Sequence, residues 1–111
     1  MKLKSTNIYL RKLIADLSKQ EAPIWKAVAK ELTKKKTVNL AKINRYTNDK
    51  DMVVVPGKVL SNGELDHKLV IAAFKFSDSA FDKVRKAGSE AISILELVKR
   101  SPKGKSVKII G

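Results

Sequence analysis

Apolar positions recur along this chain with two different periods. Leu10, Leu13, Ile14 and Leu17 fall at i, i+3, i+4 and i+7, which predicts a helix over residues 7–19 with one apolar face. Asn7 stands where its N-cap belongs. Trp25, Val28, Ala29 and Leu32 repeat the pattern over residues 23–34, and Pro23 suits a first helical turn. The link between the two is short, so the helices should lie side by side. Within "KKKTVNLAKINRYTND", Asn39 can cap a third, short helix carrying Leu40, Ile43 and Tyr46.

Beyond residue 50 the period changes. Asp51 to Val55 is a brief β-branched run, and "KLVIAAFKF" (residues 68–76) is continuous enough for a strand buried on both faces. Asn62-Gly63 between them has turn chemistry. Pro56 has no N–H for a sheet ladder, so the first strand is expected to end there. Gly57 then lets the backbone turn, and Lys58 projects from the corner, either into solvent or towards a phosphate. Ser79 and Asp82 resemble a capping box for a helix that Gly88 stops. "EAIS" reads as a short strand. Ser93 and Glu96 open a last helix with Lys99 and Arg100 at its C-terminal end. Pro102 and Gly104 end it, and "SVKIIG" closes the chain as a strand. Helices first and strand–helix alternation afterwards predict an α/β layered fold. We expect one domain over residues 1–111, with a basic helical half (about 1–50) and an α/β half (about 51–111).

Charge changes the picture most. The 111 residues include 24 Lys and Arg against 11 Asp and Glu, a net +13. Residues 1–50 hold 13 basic and 4 acidic residues; residues 51–111 hold 11 and 7. Such a field repels itself and attracts polyanions, which points to nucleic acid. Cysteine is absent, so disulfides and thiolate metal sites are excluded and an intracellular setting is compatible. No segment approaches the ~20 apolar residues of a membrane span, and "MKLKSTNIYL" lacks the apolar run of a secretory signal.

Catalytic chemistry is hard to find. His67, the only histidine, sits beside Asp66 in an expected surface loop, without a nucleophile and too alone for a metal. Gly104-Lys105-Ser106 ends like a phosphate-binding loop, but Lys99 stands where that motif needs its first glycine, and the segment leads into a strand. The acids form no dyad. We therefore expect no enzyme, metal, cofactor or small-molecule substrate.

Binding chemistry is plentiful. Lys26, Lys30 and Lys34 are spaced by four, a ridge opposite the Trp25 face, and Lys35 and Lys36 extend it. Lys42 and Arg45 continue the surface on the next helix; Lys2, Lys4, Arg11, Lys12 and Lys58 complete the RNA-binding set. Tyr46 either stacks on a base or packs at the core rim. Aromatics make up only 5%, too few for a stacking platform, so backbone and shape recognition of folded RNA is expected.

The motifs also carry a family resemblance. "IWKAVAKEL", "TVNLAKINRYT", "VVVPGKVLSNGEL", "VIAAFKFSDSAFDKV" and "GKSVKIIG", in that order over nearly the whole chain, resemble the archaeal and eukaryotic large-subunit ribosomal protein eighteen-e family, relatives of bacterial large-subunit protein fifteen. A departure is Gly88-Ser89, where relatives often have two glycines. The resemblance implies N-terminal helices followed by an irregular β-β-α superhelix. It implies a structural component of the large ribosomal subunit in the cytoplasm, bound to large-subunit ribosomal RNA and neighbouring ribosomal proteins. The competing reading from charge alone is a free-standing RNA chaperone or nucleoid-type binder.

Overall fold

A computed structural model describes the backbone of residues 2–111 and the side chains of residues 8–111. The elements run α1 (Lys2–Ser18), α2 (Pro23–Leu32), β1 (Lys36–Asn39), α3 (Leu40–Arg45), β2 (Met52–Leu60), β3 (Val70–Phe76), α4 (Asp78–Lys86), β4 (Glu90–Ser93), α5 (Ile94–Arg100) and β5 (Val107–Ile109). The α/β expectation holds. All five strands are parallel, in the order β1-β2-β3-β4, with β5 also on β2.

Alternation along the central strands splits the core in two. Val53, Val55, Ile71 and Ala73 face α3 and α4, where Leu40, Ile43, Ala80 and Val84 meet them. Val54 and Ala72 face the other way, onto Leu13 and Leu17 of α1, Trp25 to Leu32 of α2, and Ile94 and Leu97 of α5. Helices therefore cover both faces, which is why the β2 and β3 sequences read as apolar runs without a polar side. Trp25 is fully buried, and its indole N–H donates to the Pro102 carbonyl at 2.7 Å, tying α2 to the segment after α5.

Several expectations need correction. α1 starts at Lys2, so Asn7 lies inside the helix rather than at its N-terminus. α2 ends at Leu32 rather than at residue 34. The α4 cap is Ser77, whose hydroxyl accepts from the Ala80 N–H, not Ser79. Ser93 does accept from the Glu96 N–H, but the Glu96 carboxylate turns to Arg100, so only half of that capping box forms. Gly88, at φ +79°, stops α4 as expected, and Ser89 beside it uses its hydroxyl to accept the Leu69 N–H at 3.0 Å.

The largest correction concerns Pro56-Gly57-Lys58. This segment does not turn; β2 runs through it from Met52 to Leu60. One edge of β2 pairs with β3, and the other is shared end to end, by β5 against Met52–Val54 and by β1 against Gly57–Leu60. Pro56 lies in the gap where one partner hands over to the next, so its missing N–H is not needed there. The register slips by a bulge between Val55 and Lys58. Gly57 is required for closeness rather than for a turn: a Cβ on it would stand 2.1 Å from the Lys36 carbonyl oxygen of β1. The positive φ belongs to Gly63, at +103°, in the loop joining β2 to β3.

Candidate nucleic-acid interface

Parallel pairing sets Thr37, Lys58 and Lys75 side by side near the C-terminal ends of β1, β2 and β3. All three are exposed, while the next row along, Val38, Val59 and Phe76, packs into the core on the α3/α4 side. Lys58 and Lys75 are thus cross-strand neighbours of like charge, a destabilising arrangement unless an anion intervenes. Among the described residues neither has a carboxylate partner. Lys58 does project from a rigid frame, as the sequence suggested, but the frame is a strand and not a corner.

The opposite ends of the strands are different. There Asp51 holds Lys108 at 2.8 Å, Glu90 holds Arg100, and Asp66 bonds His67. Lys108 and the Asn48 N–H keep the Asp51 carboxyl below its usual value, and His67 does the same for Asp66. Three ion pairs therefore gather at the N-terminal ends of the strands, and none forms at the Lys58–Lys75 row among the described residues.

The lysine ridge of α2 is shorter than its spacing promised. Lys26 and Lys30 stand exposed on the face away from Trp25, Val28 and Leu32. Lys34 lies beyond the helix end and pairs with Glu31 at 2.8 Å, and Lys36 reaches the same carboxylate at 2.9 Å. The ridge breaks because Thr33 and Lys35 turn the chain into β1, Lys35 at φ +51°. Lys35 itself is exposed and free of ion pairs among the described residues. Hydrogen bonds from Lys34 and then Lys36 hold the Glu31 pKa down to about 2, from 4.5. A depressed carboxylate stabilises the folded state fully above its unfolded pKa and ceases to do so as pH falls through the folded one. Stability should therefore decline between about pH 4.5 and about pH 2. In Glu31→Gln that decline, followed by urea midpoints across the window, should be shallower.

Arg11 and Lys12 are exposed on α1, two and three residues past Tyr9, whose ring stacks on Phe74 of β3 at 5.6 Å. This contact sets α1 beside the strand that carries Lys75. Lys42 and Arg45 are exposed on α3; the Lys42 ammonium donates to the main-chain oxygen of Gly111 at 2.8 Å, and Arg45 has no ion pair among the described residues. Tyr46, at the end of α3, is 58% exposed and not in the core. The side chains of Lys2 and Lys4 lie outside the described residues.

His67 is not a surface residue. Its side chain is largely covered; Nδ1 donates to Asp66 at 2.7 Å, and Nε2 lies 2.6 Å from the hydroxyl of buried Thr47. It pins the β2–β3 loop to the end of α3, a structural role. No group of three His, Asp or Glu able to hold a metal occurs among the described residues, and no described helix is long and apolar enough to cross a membrane.

Lys75 was missed by sequence reasoning. Its signal was there: it is the one charge inside "VIAAFKF", hence the one position of that strand facing water. Its pairing with Lys58 had no local signal at all.

The family model described as ribosomal protein 60S L18 and 50S L18e matches residues 1–111. The chain is 46% identical to a large ribosomal subunit protein eL18 of Sulfurisphaera tokodaii, over 96% of this chain and 93% of that protein. It is 43% identical to the eL18 of Sulfolobus acidocaldarius, over 96% and 95%, and 41% identical to that of Methanothermobacter thermautotrophicus, over 98% and 97%.

Proposed function

The chain belongs to the family of ribosomal proteins 60S L18 and 50S L18e, and from that premise we propose that it binds large-subunit ribosomal RNA through the basic end of its sheet. The family is structural and non-enzymatic, and the chain is a ribosomal protein of the large subunit; in this reading it works by holding RNA in place. In this reading all 111 residues act as one domain in the cytoplasmic ribosome, beside other ribosomal proteins.

The observation that carries the RNA reading is the Lys58–Lys75 pair. Two lysines paired on adjacent strands, neither with a carboxylate partner among the described residues, cost stability in the free protein. A phosphate backbone supplies the missing negative charge, and counterions released from it drive association. Lys35 on the turn into β1, and Arg11 and Lys12 on α1, extend the surface; Lys26 and Lys30 on α2, with Lys42 and Arg45 on α3, offer further contacts. Lys34 and Lys36 are held by Glu31 and contribute less.

The test is co-sedimentation. Tagged protein expressed in an archaeal host should travel with large subunits on sucrose gradients and stay with them through moderate salt. Release under salt that leaves subunits intact would favour a free-standing RNA binder instead.

A further inference from the structure

Tyr46 stands apart from the other aromatics. Tyr9 stacks on Phe74, Phe76 meets Phe81 edge-on, and Trp25 is buried; Tyr46 is 58% exposed and pairs with no other ring among the described residues. Two open clefts meet at it. One, of about 390 Å³, is lined by Thr37, Asn39, Lys42, Arg45 and Asn62 as well as Tyr46. The other, of about 560 Å³, is lined by Lys42, Tyr46, Lys108 and residues 109–111. Neither lining contains an acid.

The polar groups in the first cleft are underused. Asn39 occupies the position before α3, yet its side chain makes no capping hydrogen bond to that helix. Asn62 spends its main-chain oxygen on the Ala41 N–H at 2.9 Å, and the residue is exposed and lines the cleft. Two asparagines thus line a cleft beside an aromatic ring, with Arg45 free of ion pairs among the described residues and Lys42 donating only to the Gly111 main-chain oxygen. That is the equipment for an unstacked nucleotide: a ring for the base face, amides for its edge, cations for its phosphates. The cleft around Phe76 and Phe81 is lined by Asp78 and Asp82 as well as Lys75, so a phosphate there would meet acids beside the one cation.

We propose that the paired clefts at Tyr46 take a nucleotide splayed out of the bound RNA, its base stacked on the Tyr46 ring and its phosphates held by Lys42 and Arg45. This rests on the RNA-binding reading above. It adds one base-specific anchor to a surface that otherwise reads backbone and shape.

The test compares full-length wild type, Tyr46→Ala and Tyr46→Phe for affinity to transcribed archaeal large-subunit ribosomal RNA over a salt series, with thermal melts alongside. Tyr46→Ala should bind about 5- to 150-fold more weakly, the range for one stacked base. Its salt slope should be unchanged because no charge is lost, and its melt should match wild type. Tyr46→Phe should bind nearly as well as wild type. Wild-type affinity in Tyr46→Ala would overturn the proposal while leaving RNA binding intact. So would an equal loss in Tyr46→Phe, which would assign the contact to the hydroxyl. Wild-type RNA affinity combined with poor incorporation into subunits would assign the ring to a protein neighbour and overturn it too. Failure of the wild type to bind the RNA would defeat the broader reading itself.

Discussion

Gly57→Ala is expected to destabilise the protein by about 3 kcal/mol or more, lowering its melting temperature by roughly 12–24 °C. The added carbon would sit 2.1 Å from the Lys36 carbonyl oxygen and 2.9 Å from its carbonyl carbon. Both are main-chain atoms of β1, so no side-chain rotation relieves the clash. β1 has only four residues and is held to β2 by the Lys36–Gly57 to Asn39–Leu60 register. Moving it away breaks that ladder and draws Val38 and Leu40 out of the core, where both are buried. Backbone conformation is not the cause, since Gly57 does not have positive φ. Valine at this position should be worse than alanine, because it is larger, and not because its φ is forbidden. A melt of Gly57→Ala within two or three degrees of wild type would mean β1 and β2 are not this close.

The sequence carried those parts of the fold that local chemistry decides. The apolar spacing of α2 marked Trp25, Val28, Ala29 and Leu32 as core, and all four are buried. The continuous apolar run of β3, the Gly88 stop and the Ser93 cap were legible for the same reason. β1 was not, because "KTVN" is too short to show a period and only its contact with Gly57 makes it a strand. Pro56 misled for a related reason. A proline ends a strand only if its N–H would have been used, and whether it is used depends on which strand lies alongside. That is settled by β5, far along the chain.

Legibility of the candidate site follows the same division. Charge excess and exposed helix faces were visible from residue types alone, so Lys26, Lys30, Arg11 and Lys12 stand in water as anticipated. Spacing could not foresee that α2 stops at Leu32 and leaves Lys34 and Lys36 to share Glu31. Nor could it foresee the neighbour of Lys58, since parallel strands unite residues with no local relation. Lys75 enters through that register, and it moves the centre of the surface from the α2 ridge to the end of the sheet.

The second large effect is therefore expected from the triple variant Lys35→Ala, Lys58→Ala, Lys75→Ala. These three lysines are exposed and free of carboxylate partners among the described residues. Each charge-assisted phosphate contact is worth about 1.5 kcal/mol or more, so together their loss should weaken RNA binding by on the order of 10³-fold at low salt. Folding should not suffer. Removing like charges from adjacent strands should leave stability unchanged or raise it by up to about 0.5 kcal/mol. Lysines that served the fold would give the opposite sign. The most direct measurement is the slope of log affinity against log salt for large-subunit ribosomal RNA, wild type against this variant. The expected result is a slope shallower by about 0.7–0.9 for each lysine that grips a phosphate, hence by roughly 2–3 in all. An unchanged slope in a variant that melts like wild type would contradict the assignment of this end of the sheet to RNA.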